Sequence, residues 1–253
     1  MPLTNKEIEK ILRSIWNGDI SVFNLPENIF EFTYSELIKM VDNGFGGGVG
    51  DFTKGSIRAG KALSYQNNIY TFSGAKTFNE VKDLSMFIFN EDGAKRPFKE
   101  FREHGQRIDN TYNVDWLRTE QDTAFGMSQS ADKWIGIEED QELFPLLQYQ
   151  TAADERVRDD HAQWDNIIRP VNDSFWDTNM PINGWNCRCT VVRLSEGSET
   201  NIKGIKLNDD KLFGVNPGKV DYIFDPKTHP YYKVENKFKP MLKDNFGFKI
   251  PDK

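Results

Sequence analysis

The residues best suited to metal chemistry lie between residues 150 and 190. Cys187 and Cys189 are the only two cysteines, and residues separated by one position in a strand point to the same face of a sheet. His161 precedes Cys187 by 25 intervening residues, and thiolate with imidazole is a ligand set typical of tetrahedral zinc. Nearby carboxylates that could add a fourth ligand are Asp154, Asp159 and Asp160. The candidate metal set is therefore His161, Cys187, Cys189 and Asp154, and the cofactor it predicts is a structural zinc ion.

The same residues have a simpler interpretation. Both cysteines could pack as small apolar side chains while His161 bonds a backbone carbonyl, so metal binding and plain packing are both open at this point. A disulfide between Cys187 and Cys189 is not expected, because residues two positions apart rarely offer the geometry of a bridge. Catalytic use of the thiols is not favoured, because none of the three histidines has an evident orienting partner.

A second group of candidate residues carries charge. Glu120 falls on the apolar face of a helix predicted over residues 114–135, between Leu117 and Ala124. A carboxylate that faces a core needs a charged or donor partner. We predict an ion-pair network in which Glu120 and Asp154 are the acceptors and the donors are Arg118, Arg156, Arg158 and Arg188. The alternative is that Glu120 lies at the edge of the apolar face and reaches water.

The first part of the chain carries helical signals. Thr4 and Glu7 have the spacing of a capping box, and apolar residues then recur at helical spacing until Gly18. Similar spacing predicts helices from Pro26 to residues 43–44, over residues 75–86, and over residues 114–135. We therefore expect a mainly helical body over residues 1–140, which contains a glycine-rich loop at residues 44–55.

The pattern changes after Pro145. Strands are predicted over residues 146–151 and 188–194, with turn signals and a helix or extended arm at residues 154–164 between them. The predicted fold class is α+β: the helical body, a small α+β module with short antiparallel strands over residues 141–200, and an extended, lysine-rich polar tail over residues 201–253.

The glycine-rich loop leads into a near match to a phosphate-binding loop at residues 55–62. The match fails because Ala62 stands where a hydroxyl must hold Mg²⁺, and because no buried strand precedes the glycines. Nucleotide binding is not expected.

Charge is unevenly distributed along the chain. The net charge is −7, but residues 201–253 hold eleven lysines against seven acidic residues, a balance of +4 that leaves −11 for residues 1–200. Acidic residues lie between the lysines and no dense basic cluster forms, so a solvated lysine-rich extension is expected, and the alternative is that the tail contacts DNA. The polar start predicts no signal peptide, and no run approaches the roughly 18 apolar residues of a membrane span.

Several of these motifs resemble one protein family. They are Trp116-Leu117-Arg118-Thr119-Glu120 followed by Ala124, Asp154-Glu155-Arg156-Val157-Arg158 with His161, Asp173-Ser174-Phe175-Trp176-Asp177, Pro181 with Gly184-Trp185-Asn186-Cys187-Arg188-Cys189, and Asn216-Pro217-Gly218. In this order and spacing they are similar to the minor head proteins of tailed bacteriophages, the phage Mu F-like head morphogenesis proteins. The chain departs from the family in carrying Pro181-Ile182 where a proline pair is frequent, and in lacking a glycine in the turn after His161.

The resemblance implies a structural head protein rather than an enzyme. It would act in head morphogenesis at the portal or the inner capsid surface, with the portal protein, other head components and packaged DNA as partners. Its location would be the virion, after assembly in the host cytoplasm. The competing hypothesis is a metal-dependent hydrolase or nuclease that uses Asp159, Asp160 and His161 with the thiols, or an ADP-ribosyltransferase-type effector. For the latter, the spacing of Glu196 and Glu199 does not match the expected Glu-x-Glu motif.

Overall fold

The computed structural model of the chain describes residues 3–250. Its helices are α1 (Asn5–Asn17), α2 (Glu27–Phe45), α3 (Ile57–Met86), α4 (Phe98–Asn110), α5 (Leu117–Glu139), α6 (Asp159–Ala162), α7 (Phe175–Asn179) and α8 (Lys239–Lys243). The strands are β1 (Leu146–Gln150), β2 (Ile168–Pro170) and β3 (Thr190–Leu194). The predicted α+β class, with a helical body and short antiparallel strands, is confirmed.

The start of α1 follows the predicted capping box. The backbone N–H of Glu7 donates to Thr4 Oγ1 at 3.3 Å, and the Thr4 N–H donates to Glu7 Oε2 at 2.8 Å. Each residue thereby satisfies an amide that the first helical turn leaves without a partner. The helix ends at Gly18, whose φ of 94° is one that glycine adopts without steric cost.

Two helices differ from the prediction. Helix α3 begins at Ile57 and not near residue 75, because Ala62, Tyr65, Ile69 and Phe72 continue a buried face at helical spacing. The near match to a phosphate-binding loop thus runs into the first turns of this helix. Helix α4 was not predicted, since its buried face consists of little more than Phe101 and Gly105 among charged residues.

The sheet has the strand order β2-β1-β3, and both pairings are antiparallel. Leu147 pairs with Arg169 on one side and with Arg193 on the other. In β1, Leu147 and Tyr149 alternate with less buried neighbours, as expected for a strand with one face in a core. Strand β3 begins at Thr190, two residues later than predicted, so both cysteines lie in the loop that precedes it.

The described chain forms two compact units. Unit one comprises residues 3–38, 69–121 and 226–250, and unit two comprises residues 39–68 and 122–225. The core of unit one contains Ile11, Leu12, Ile15, Ile29, Leu84 and Phe101. That of unit two is richer in aromatic residues and includes Trp134, Tyr149, Trp164, Phe175 and Trp176. This division differs from the predicted boundaries at residues 140 and 200.

The lysine-rich segment after residue 200 has little regular structure, but it is not a free appendage. Residues 201–225 belong to unit two, where Phe213, Ile223 and Phe224 are buried. Residues 226–250 belong to unit one and bury Tyr231 and Phe246 among others. The apolar side chains between the lysines explain why the segment packs. None of the helices within residues 3–250 is long and apolar enough to cross a membrane.

Candidate functional site

His161 is the buried member of a cluster of metal-ligating side chains in unit two. It lies in the single-turn helix α6 and is only 3% exposed. Its ring stacks on Trp164, with the ring centroids 5.2 Å apart, and the Trp164 indole N–H donates to the Lys206 carbonyl at 2.8 Å. This packing fixes the plane of the imidazole, so its ring nitrogens have defined directions.

The two cysteines lie in the loop that leads into β3. The Cys187 N–H donates to the Gly184 carbonyl at 3.1 Å and closes a turn. Asn186, within that turn, has a φ of 57°, a left-handed conformation that asparagine tolerates better than most residues. The turn places the half-buried thiols of Cys187 and Cys189 on the same side as His161.

The three side chains converge on one small volume. Cys187 Sγ lies 3.7 Å from His161 Nδ1, and Cys189 Sγ lies 3.6 Å from the same nitrogen. One ligand atom from each of the three residues lies within 4.8 Å of the other two. The structure therefore brings together three of the four residues predicted as metal ligands, across 26 positions of sequence.

The surroundings of the two thiols shift their pKa values in opposite directions, with Cys187 lowered and Cys189 raised. A hydrogen bond from the Cys189 thiol lowers the pKa of Cys187 to about 4, with further help from His161 and from backbone N–H groups. The same hydrogen bond raises the pKa of Cys189, and burial adds to this rise. Cys187 is thus the thiol whose environment favours the anionic form, which is the form that binds metals.

A buried tyrosine and asparagine support the cysteine loop. Tyr149 in β1 donates its hydroxyl to Asn183 Oδ1 at 2.9 Å, and the Asn183 amide donates to the Met180 carbonyl at 3.3 Å. The sheet therefore holds the loop through one side chain of its central strand.

Asp154 is not part of the cluster. Its carboxylate pairs with Arg188 in a bidentate contact, with N···O distances of 2.6 and 2.7 Å. Hydrogen bonding by Arg188 holds the pKa of Asp154 near 2. The prediction of Asp154 as a metal ligand is corrected, because Arg188 already engages both oxygens.

The two other carboxylates considered as ligands also lie outside the cluster. Asp159 is exposed. Asp160 Oδ1 lies 4.0 Å from His161 Nε2, the nitrogen that does not face the thiols.

A cleft adjoins the thiols. Its volume is about 450 Å³, and its lining within unit two includes Cys187, Cys189, Gln129 and Ile182. His161 does not line this cleft. The sulfur atoms are therefore on the solvent side of the cluster and the imidazole is on the core side.

Glu120 is buried in unit one, and its cationic partner is Lys76. The Lys76 ammonium donates to Glu120 Oε2, and both side chains are almost fully buried. The Tyr231 hydroxyl donates to Glu120 Oε1 at 3.2 Å. The prediction of an arginine partner is corrected: a buried carboxylate does need a cation, but Lys76 of α3 supplies it.

The predicted arginines have other positions. Arg188 and, at 3.6 Å, Arg156 pair with Asp154. Arg158 donates to the Trp185 carbonyl at 2.6 Å. Arg118 lies on the exposed side of α5. The donors therefore do not form one network around Glu120.

Sequence reasoning missed a second buried carboxylate beside this pair. Glu80 lies one turn after Lys76 in α3, and its Oε1 accepts a hydrogen bond from the Asn113 amide at 2.9 Å. Its Oε2 is buried with no hydrogen-bond partner among the described residues. Burial raises the pKa of Glu80 to about 8, and the nearby Asp109 adds to the rise. The spacing of Lys76 and Glu80 on a helix face with Phe72 was the signal that could have revealed this cluster.

Asn113 belongs to a π-helical turn, Thr111–Trp116, between α4 and α5. The neighbouring Tyr112 donates its hydroxyl to Asp83 at 2.7 Å. Such a turn inserts an extra residue into a helix and changes the direction of its side chains. Two adjacent residues, Tyr112 and Asn113, therefore both reach carboxylates of α3.

Residues 89–192, which include the π-helical turn, strands β1 and β2, the start of β3 and the candidate metal-ligand cluster, match the family model described as Phage Mu protein F like protein. The predicted resemblance is therefore confirmed for this part of the chain. A protein of Escherichia phage Mu named "Putative capsid assembly protein F" is 30% identical over 131 residues, which are 52% of this chain and 27% of that protein. The Mu-like prophage FluMu F protein of Haemophilus influenzae is 32% identical over 92 residues, 36% of this chain and 21% of that protein.

Each match thus spans about a quarter or less of the relative's length. No solved structure matches the chain significantly.

Proposed function

We propose that this chain is a structural protein of a tailed-phage head that acts in head assembly. The observation that carries the proposal is the match of residues 89–192 to the phage Mu F-like family, together with a relative named for capsid assembly. The finer part of the proposal is a location at the portal or the inner capsid surface, with the portal protein and other head components as partners.

The roles of the motif residues support a structural function. Asp173 accepts the Phe175 N–H at 2.7 Å and pairs with Arg169, and the Trp176 indole donates to the Pro170 carbonyl at 3.0 Å. These residues hold the turn between β2 and α7. Their side chains are therefore engaged in contacts within the fold.

The Asn216-Pro217-Gly218 motif has a comparable role. The Gly218 N–H donates to Asn216 Oδ1 at 2.9 Å, and Tyr65 donates its hydroxyl to the Pro217 carbonyl at 2.6 Å. A Cβ at Gly218 would lie 2.2 Å from the Trp134 ring, so only glycine allows this close approach. The motif therefore holds residues 216–218 directly against Trp134 of α5.

Sedimentation with head precursors tests the proposal. We expect the full chain, expressed with the head and portal genes of its phage, to sediment with proheads and to be captured by portal oligomers. Trp176→Ala removes a fully buried ring and should abolish both associations. Asn172→Ala, at an exposed position nearby, should leave them intact. Absence of the wild-type chain from both proheads and finished virions would refute the proposal.

Contact with packaged DNA stays a prediction. The structure shows that several lysines after residue 200 pair with carboxylates, for example Lys219 with Asp177 at 2.6 Å and Lys206 with Asp209 at 3.0 Å. Removing the segment would also expose buried aromatic residues, so charge substitution is the cleaner test. If exposed lysines such as Lys203 and Lys211 contact phosphates, their change to Gln should reduce the salt dependence of DNA binding.

A further inference from the structure

We propose that His161, Cys187 and Cys189 bind a zinc ion, with a water molecule from the adjoining cleft as the fourth ligand. The proposal is independent of the function in head assembly. The ion would join helix α6 to the loop before β3, two segments that are 26 residues apart in sequence. Its role would be to stabilise unit two.

The first argument concerns the hydrogen-bonding capacity of one nitrogen. A ring nitrogen of a neutral imidazole donates or accepts one hydrogen bond. Two sulfur atoms nevertheless lie at nearly equal distances, 3.6 and 3.7 Å, from His161 Nδ1. A hydrogen bond of Nδ1 can engage only one of them at a time. A metal ion between the three atoms uses the nitrogen lone pair and both sulfurs at once.

The second argument is metric. Tetrahedral zinc with Zn–S near 2.3 Å and Zn–N near 2.05 Å requires a distance of about 3.6 Å between sulfur and nitrogen. Both observed distances agree with this requirement to within about 0.1 Å. The third pair, Cys187 Sγ and Cys189 Sγ, also lies within the 4.8 Å span of the cluster.

The donor types select the metal. Two thiolates and one imidazole favour zinc over calcium or magnesium, which prefer oxygen ligands. The Tyr149 hydroxyl donates to Asn183 Oδ1, and the Asn183 amide donates to the Met180 carbonyl, so the segment just before the cysteines is held in place. These contacts resemble the support that outer-shell groups give to metal ligands.

The fourth position is assigned to water. Among the described residues, the group of ligand atoms contains only His161, Cys187 and Cys189. Asp154, the carboxylate predicted for this role, is held by Arg188. Both thiols line the cleft, so solvent reaches the sulfur side of the cluster.

Metal analysis of the full chain tests the proposal directly. The protein is expressed without a histidine tag in medium with added Zn²⁺, purified with its thiols reduced, and analysed by mass spectrometry for metals. We expect about one zinc per chain, with at least a tenfold loss in Cys187→Ser or Cys189→Ser. Asp154→Asn is the matched control and should keep its zinc. Loss of zinc in Asp154→Asn would overturn the assignment of water as the fourth ligand.

A second measurement covers the case in which a cysteine variant fails to fold. Wild-type protein loaded with Co²⁺ should show sulfur-to-cobalt charge-transfer bands and the strong visible bands of tetrahedral cobalt. Addition of Zn²⁺ should displace the cobalt and remove these bands. Both thiols of the zinc-loaded protein should react with Ellman's reagent more slowly than those of the metal-free protein. A zinc content near zero in reduced wild-type protein, or octahedral cobalt spectra without charge transfer, would overturn the proposal.

Discussion

The buried pair of Lys76 and Glu120 offers a sharp test of the energetics of unit one. The Lys76 side chain is fully buried, and Glu120 is 4% exposed. Lys76→Met keeps the length of the side chain but removes its charge, so the Glu120 carboxylate keeps only the Tyr231 hydroxyl as a donor at 3.2 Å. Breaking a buried pair from one side costs about 3–5 kcal/mol, because the remaining charge has no counter-ion. We expect a loss of unfolding free energy in this range at pH 8.

The loss should depend on pH. Burial raises the pKa of Glu120, while Lys76 is the strongest influence that lowers it. Without Lys76 the folded-state pKa rises further above the unfolded value. A group with a raised folded pKa contributes stability at low pH and loses it as pH rises. The cost of Lys76→Met should therefore be smaller at pH 5 than at pH 8, with a slope of up to about 1.4 kcal/mol per pH unit.

The assay is urea unfolding of the single and double variants, monitored by circular dichroism at both pH values. Lys76→Met/Glu120→Gln removes the uncompensated charge but keeps an acceptor for Tyr231, and should recover about 2 kcal/mol or more. Arg58→Met is the control, because its pair with Asp132 is about one-third exposed and should contribute less than about 1 kcal/mol. A cost below about 1 kcal/mol for Lys76→Met at both pH values, without rescue by Glu120→Gln, would refute the reasoning.

Three further outcomes are expected. Because the pKa of Glu80 is raised from 4.5 to about 8, the unfolding free energy of the wild type should fall as pH increases between these values. Glu80→Gln should flatten this decline, as measured by urea titration at several pH values. An unchanged slope of unfolding free energy against pH would exclude Glu80 as its source. Gly44→Ala should lower the melting temperature, because the new Cβ would lie 2.7 Å from a backbone carbonyl oxygen. Gly136→Ala in α5, where a Cβ would meet no atom within 4 Å, should instead raise the free energy of unfolding by about 0.5–1 kcal/mol. Equal effects of the two substitutions would contradict this reasoning. Arg188→Gln should return the carboxyl pKa of Asp154 toward its usual value, as measured by NMR titration, and a pKa still near 2 would show that Arg188 is not the cause.

Local signals predicted much of the fold. The Thr4–Glu7 box and Gly18 define α1 at both ends, and residues 146–150 form the predicted strand. These signals lie within a few residues of each other, so no knowledge of tertiary contacts is needed. Strand β2 was not predicted, because Arg169-Pro170 is typical of a turn. Proline has no N–H to donate, but it is tolerated here because β2 is an edge strand that pairs only with β1.

The candidate sites show the limit of the same reasoning. The types and spacing of His161, Cys187 and Cys189 marked them as ligands before their positions were known, and metal binding itself stays a prediction. The partner of Glu120 could not be predicted, because Lys76 lies 44 residues earlier, in a different helix. Which distant charges pair depends on how the helices pack, and the sequence around Glu120 does not indicate which helix packs against it.

The discontinuity of unit one affects the order in which the protein can fold during synthesis. Its core needs residues 3–38 and 69–121, but Tyr231, Phe238 and Phe246 come from the last segment described. A ribosome must therefore translate all of unit two before the final aromatic side chains of unit one leave the exit tunnel. Until then, Glu120 lacks the hydrogen bond from the Tyr231 hydroxyl. Phe72 and Phe78 of α3 likewise lack their contacts with the rings of Tyr231 and Phe238. Unit two, whose residues end at 225, is the part that can complete its core first.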